Sequence, residues 1–199
     1  MIPTVTKTSN QTFRPRRRLA LFVIVVALIA AGFTVRFCLT GPRRVIEVST
    51  SILVPATQEA AWNAIISFRE VESQVPWAMT LGLPRPTRCA LEGHGVGARR
   101  TCTFNAGSIT QRIERWEPPH GFEVSIVRAD MPGRDWIDYL RASYVFSAEA
   151  GGTRIVRSTT VASRLRPAAY FDPIARFSLE TEHAYLLRAV KARLKGIPR

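Results

Sequence analysis

Residues 51–65 read SILVPATQEAAWNAI, and the change of period inside this stretch decides the fold class. Up to Pro55 the apolar positions alternate: Ile46, Val48, Ile52 and Val54 lie on or near one face, as in a half-buried strand. From Thr57 the spacing becomes helical. Thr57 is a good N-cap, and Ala60, Ala61, Ala64 and Ile65 recur at three- and four-residue intervals with Trp62 and Ile66 beside them, predicting a helix to about Phe68. Residues 70–88, with three prolines and Gly82, predict a broken helix and loop.

Beyond that loop the pattern is β. Residues 89–92 and 99–104 flank Gly93-His94-Gly95-Val96-Gly97, which reads as a turn between antiparallel strands. Residues 108–116 place Ile109, Gln111 and Ile113 on one face, and Phe122, Val124 and Ile126 alternate after the turn Pro118-Pro119-His120-Gly121. Residues 139–146 put Leu140, Ala142, Tyr144 and Phe146 on one side, and Gly151-Gly152 turns the chain into residues 153–163. The result is one strand, one helix and about six further strands. Beyond Pro173, Leu179, His183, Leu186, Val190 and Leu194 fall within roughly 80° on a helical wheel, predicting a long helix stopped by Gly196 and Pro198. An α+β fold, with an antiparallel sheet covered by a C-terminal helix, follows.

Working outward to the N-terminus, residues 19–35 read LALFVIVVALIAAGFTV, uncharged and bounded by Arg18 and Arg36. At ~1.5 Å per residue they cover roughly 25 Å, and snorkelling of Arg36 extends the stretch through Leu39. The division expected is a basic tail at 1–18, one transmembrane helix at 19–39, a linker at 40–44 and a domain at 45–199. A cleaved signal peptide is the alternative, with Ala30 and Gly32 at the minus-three and minus-one positions of a cut before Phe33. The twin arginines Arg17 and Arg18 fit an export motif poorly, and Cys38 lacks the small residues of a lipoprotein box before it.

Charge fits this division. The 199 residues carry +13, from 28 Lys plus Arg against 15 Asp plus Glu, a balance that suggests nucleic acid or an anionic membrane. Lys7, Arg14, Arg16, Arg17, Arg18, Arg36, Arg43 and Arg44 all lie in residues 1–44, which hold no acid. That bracketing of an apolar run is a membrane pattern, and no nucleic-acid partner is expected. Five charges before the span against three after it favour a cytoplasmic N-terminus and an extracytoplasmic domain. Arginine outnumbers lysine 25 to 3, which hints at a GC-rich bacterial genome, so a bacterial inner membrane is the expected location.

The order of elements resembles the helix-grip fold of the START-like or SRPBCC superfamily, which includes the polyketide cyclase/dehydrase and lipid-transport proteins. The local words SILVPATQEAAWNAI, GVGARR, ERWEPPHGFEV and GGTRI are similar to the family's first strand and helix, second hairpin, central hairpin and entry to the last strand, across about residues 45–196. The resemblance implies a curved sheet of about seven strands wrapped on the last helix, leaving an apolar cavity for a lipid, sterol, polyketide or similar molecule. It implies no universal catalytic motif and no cofactor. The N-terminal anchor departs from the small soluble members.

Alternation aims Phe104, Gln111, Ile113, Val124, Tyr144 and Phe146 at such a cavity, with His183 and Leu186 facing them from the helix and Trp77 at its entrance. Gln111, Tyr144 and His183 are the polar contacts expected there, or else core residues that satisfy one another. Hydrophobic small molecules and membrane lipid are the expected partners. The alternative is a cyclase or aromatase acting on a polyketide-like substrate, with His183 or Tyr144 as general acid or base.

Cys89 and Cys102 are equidistant from the turn centre and face each other across the hairpin, either as two reduced core thiols or as a disulfide in an oxidising compartment. No spacing resembles a metal site. Arg99, Arg100, Arg112 and Arg115 form a basic group on neighbouring strands, read as a solvated face with Glu114, or as a contact for lipid headgroups. The sequence does not indicate an oligomeric state.

Overall fold

The computed structural model describes residues 15–69, 71 and 73–195, and the side chains among them except at 15–19 and 34–40. It divides into two units at the junction of Leu39 and Thr40. The first contains a single helix, α1 (Pro15–Leu39). Its described side chains, residues 20–33, are apolar and exposed, Phe33 to 76%. Fourteen residues rise only about 21 Å, and among the described residues no helix is long and apolar enough to cross a membrane. Most of the basic tail, and the stop residues Gly196 and Pro198, lie outside the described residues.

The second unit holds β1 (Thr40–Val54), α2 (Gln58–Ile66), a one-turn α3 (Trp77–Thr80), β2 (Pro86–Glu92), β3 (Arg99–Phe104), β4 (Gly107–Glu117), β5 (Gly121–Asp130), β6 (Ile137–Glu149), β7 (Gly152–Leu165) and α4 (Ala168–Lys195). All seven strands form one antiparallel sheet in the order β1-β7-β6-β5-β4-β3-β2, so the chain is a meander whose first strand closes beside its last. Residues 40–44, expected as a linker, belong to β1. Pro42 is tolerated because β1 is an edge strand, and the register shifts between Thr40 and Arg44. Arg43 and Arg44 are tied into the domain by ion pairs to Asp138 at 3.0 Å and Asp172 at 2.8 Å.

Local chemistry explains the rest of the layout. Thr57 caps α2 by accepting a hydrogen bond from the Ala60 amide at 3.2 Å. Gly93, Gly95 and Gly97 all have φ between +81° and +88°, which makes the β2–β3 connection a glycine turn. Cys89 and Cys102 are opposed in register and joined by a disulfide, the oxidised of the two states that their symmetry about the turn allows. α4 begins at Ala168, earlier than the stripe beyond Pro173 predicts, and carries Pro173 inside it.

The core lies between the inner sheet face, α2 and α4. Trp62 of α2 packs edge-on to Trp116 and Phe122 at ring distances of 4.9 and 5.3 Å, over buried Ile113, Val124 and Phe146. Ile46, Val48 and Val161 receive Ala175 and Leu179 from the N-terminal half of α4.

One expected face is displaced. A register shift between Tyr139 and Arg141 makes Tyr139, instead of Leu140, share the inner face with Ala142, Tyr144 and Phe146. Leu140 is 38% exposed, whereas Ala142 is buried. Leu140→Gln is therefore expected to change stability by less than about 1 kcal/mol, and Ala142→Gln to cost more than about 2 kcal/mol, by the overpacking and buried-polar penalties. Chemical denaturation of the two variants measures the difference; equal costs would place the bulge elsewhere.

Candidate functional site

The inner sheet face leads from Cys102 back along β3 to Arg100, which has the same parity. Arg100 is therefore buried, at 1% exposure, while its neighbour Arg99 faces solvent. The basic group read from the sequence thus divides, with Arg99, Arg112 and Arg115 outside and Arg100 inside. Outside, Arg112 pairs with Glu114 at 2.8 Å and Arg115 with Glu117 at 2.7 Å.

Inside, Arg100 Nε donates to the Ile66 carbonyl and Nη2 to the Ile65 carbonyl, both at 2.9 Å, and Nη1 donates to Gln111 Oε1 at 2.8 Å. The guanidinium thereby satisfies the last carbonyls of α2, at the negative end of the helix dipole, and joins α2 to β3 and β4. The rings of Phe122, Tyr144 and Phe68 lie 5.7, 5.9 and 6.0 Å from its carbon. Burial lowers its pKa from the ordinary arginine value, the nearby Tyr144 working the other way.

A second guanidinium faces the same interior. Arg157 on β7 pairs with Glu182 on α4 through two contacts, at 2.7 and 3.0 Å, and lies 5.5 Å from the Tyr144 ring centre. Among the described residues its buried Nε has no hydrogen-bond partner. Burial works against the charge of Arg157, but the Glu182 carboxylate outweighs it and the pKa is raised. Tyr139 is pushed up to about 12, by burial first and by Glu182 second.

These side chains surround a mostly enclosed cavity of about 60 Å³, room for roughly two waters. Of the residues expected to line a cavity, Phe104, Gln111, Tyr144 and Leu186 do so. Ile113, Val124 and Phe146 are instead packed in the aromatic core around Trp62, and Trp77 is 68% exposed on α3, against Phe177 of α4. The interior is far smaller than the resemblance implies, because Arg100, Tyr144, Arg157 and Glu182 fill it.

His183 sits behind this cavity and does not line it. Its Nε2 lies 2.8 Å from Thr159 Oγ1 and its Nδ1 3.2 Å from Thr50 Oγ1, so a neutral ring donates to one hydroxyl and accepts from the other. Burial, then the Arg157 charge, depresses its pKa to about 2. A histidine so held links α4 to β7 and β1, and Tyr144 remains the candidate acid–base group that reaches the cavity.

Outside the partition formed by Phe68, Cys89 and Leu186, which line both spaces, an open groove of about 930 Å³ runs between α2, β2 and the C-terminal half of α4. Ala64, Val71, Leu91, Ala189 and Val190 give it an apolar floor, and Arg69, Arg88 and Arg193 lie along it. The Phe68 backbone pairs with Cys89 on the edge strand, and the Tyr185 hydroxyl donates to the Val71 carbonyl at 3.1 Å, holding the wall of the groove to α4.

Sequence reading missed Arg100, Arg157, Glu182 and Phe68. Parity with Cys102 and Phe104 marks Arg100, parity with Ile155 and Val161 marks Arg157, and Glu182 stands three residues after Leu179 and four before Leu186 on the buried stripe. Among the described residues, no group of three or more His, Cys, Asp or Glu side chains could hold a metal.

Residues 45–195 match the family described as polyketide cyclase / dehydrase and lipid transport. Similar solved structures include the Aha1 dimer from Colwellia psychrerythraea, at 15% identity and TM-score 0.51, covering 76% of this chain and 97% of that one. A Rhodobacter sphaeroides protein is 21% identical with TM-score 0.52, covering 80% and 98%. A Thermus thermophilus protein is 18% identical with TM-score 0.51, covering 75% and 97%. At these identities the likeness establishes the fold. No match was found among curated proteins.

The depressed histidine has a pH signature. In the unfolded chain His183 binds a proton near pH 6.5, and in the folded chain it does not until about pH 2. The stability it contributes is whole above pH 6.5 and is lost progressively as pH falls toward 2. Between pH 7 and pH 5 the stability gap between the parent protein and His183→Gln is expected to narrow by about 2 kcal/mol. Urea titrations at the two pH values measure this, and a constant gap would contradict a neutral His183.

Proposed function

We propose, from the premise that the chain belongs to the polyketide cyclase / dehydrase and lipid transport family, that it binds a hydrophobic small molecule at a membrane surface and does no covalent chemistry on it. The observation that carries this reading is the open groove, whose floor of Ala64, Val71, Leu91, Ala189 and Val190 lies between arginines and which shares Phe68, Cys89 and Leu186 with the inner cavity. The ligand's bulk occupies the groove, because the closed interior has no room for it. Reaching the interior takes a rotation of Phe68 or Leu186, side chains without a polar bond to break.

The anchor belongs to the same reading. An uncharged run of 17 residues between Arg18 and Arg36, within a helix whose described side chains are exposed, supports a single span with the N-terminus in the cytoplasm and the domain outside it. The Cys89–Cys102 disulfide supports an oxidising compartment. Exposed Trp77 and Phe177, in contact with each other, and Ile174 one turn before Phe177, give the domain an apolar surface suited to lipid. A domain held at the bilayer takes an apolar ligand from lipid without carrying it through water.

The test uses the full chain reconstituted in vesicles containing an alkyl-diazirine lipid analogue, with crosslinks mapped by mass spectrometry. Labelling is expected in the peptides that contain Phe68 and Leu186 and in residues 20–33. Ala192→Trp, at an exposed position lining the groove, is expected to reduce groove labelling at least about tenfold without lowering the thermal midpoint. Labelling confined to α1 would overturn the binding reading, and absence of labelling in 20–33 would overturn the anchor.

A further inference from the structure

We propose that the enclosed cavity is a headgroup site for a single carboxylate, so that the ligand bound by this domain is a monoanionic amphiphile of the fatty-acid type. The inference rests on the groove-binding reading and specifies its ligand.

Charge is the first ground. Arg100 and Arg157 face the cavity with one carboxylate, Glu182, which is bonded to Arg157. Arg100, among the largest fully buried side chains, is hydrogen-bonded to two backbone carbonyls and an amide oxygen, all neutral, and Glu182, already paired with Arg157, acts on it only electrostatically. The helix end supplies about half a negative charge, which leaves the interior positive. A buried charge without a full counter-charge is costly, so a bound monoanion would recover free energy that an uncharged ligand could not.

Donors are the second ground. A guanidinium has five N–H groups; three of those on Arg100 are taken by Ile65, Ile66 and Gln111 and Tyr144 engages a fourth, so at least one remains on a side chain that lines the cavity. Arg157 Nε is the other unused donor. Planar donors arranged around a small space suit a planar carboxylate.

Size is the third ground. About 60 Å³ accepts a carboxylate in place of roughly two waters, but no phosphodiester with its glycerol. The alkyl chain then passes between Phe68 and Leu186 onto the Ala64, Leu91 and Val190 floor of the groove.

The test measures displacement of the same diazirine probe from the full chain in vesicles by octanoate, octanol and octylamine, compared at equal membrane-bound concentrations. Octanoate is expected to displace groove crosslinks at an at least about tenfold lower concentration than octanol, with octylamine weakest. Arg100→Gln is expected to remove the preference for octanoate over octanol. Because Arg100 also supports α2 and its loss could prevent folding, Glu182→Gln provides an independent arm: it frees Arg157, and the preference for octanoate is expected to rise above that of the parent. Equal potency of octanoate and octanol in the parent, or an unchanged or reduced preference in Glu182→Gln, overturns the carboxylate site and leaves hydrophobic binding standing. If all three compounds fail to displace the probe, both this inference and the binding reading fall.

Discussion

The interaction on which the domain depends is the burial of the Arg100 guanidinium under the end of α2. A helix of nine residues is too short to be stable alone, and its terminal carbonyls need partners wherever water is excluded. Arg100 supplies those partners from β3 and is itself steadied by Gln111 from β4, so one side chain sets where the helix ends over the sheet. The aromatic cluster beneath, Trp62 against Trp116 and Phe122, requires that placement. The same cation keeps the interior polar and nearly full, which is why a fold associated with large cavities here encloses only about 60 Å³.

Charge has a different meaning on each side of the sheet. On the outer face, arginines lie beside glutamates at 2.7 to 2.8 Å in solvent, where screening leaves such pairs little energy. On the inner face Arg157 and Glu182 form a comparable pair with little solvent access, and Arg100 is hydrogen-bonded to neutral oxygens, with Glu182 acting on it from a distance. A low-dielectric interior makes each of these charges consequential for whatever enters it. His183 shows the converse, since enclosure between two threonine hydroxyls removes its charge and turns a titratable side chain into a structural link.

The fold was largely legible in the sequence because its elements announce themselves through period. The change from alternation to helical spacing around Pro55, the glycine turn at 93–97 and the stripe from Leu179 to Leu194 each mark an element that the structure contains. Errors arose where one residue interrupts the period. The bulge beside Tyr139 moves Leu140 off the inner face, and an extra stretch of strand at 40–44 replaces the expected linker. Register shifts of that kind depend on the partner strand, and local spacing does not record them.

The site was less legible for a related reason. Phe104, Gln111, Tyr144 and Leu186 reach the cavity because alternation and helical phase place them there. Arg100 has the same parity, but its type argues for solvent, and only two carbonyls 34 and 35 residues away along the chain make its burial tolerable. The sequence by itself determined the antiparallel sheet under a long helix, the basic flanks of an apolar N-terminal run and the opposition of Cys89 to Cys102, all of which follow from local spacing. Tertiary structure alone decided which arginine is buried, which histidine is neutral and how much space remains inside, because each of those depends on groups that meet only when distant segments pack.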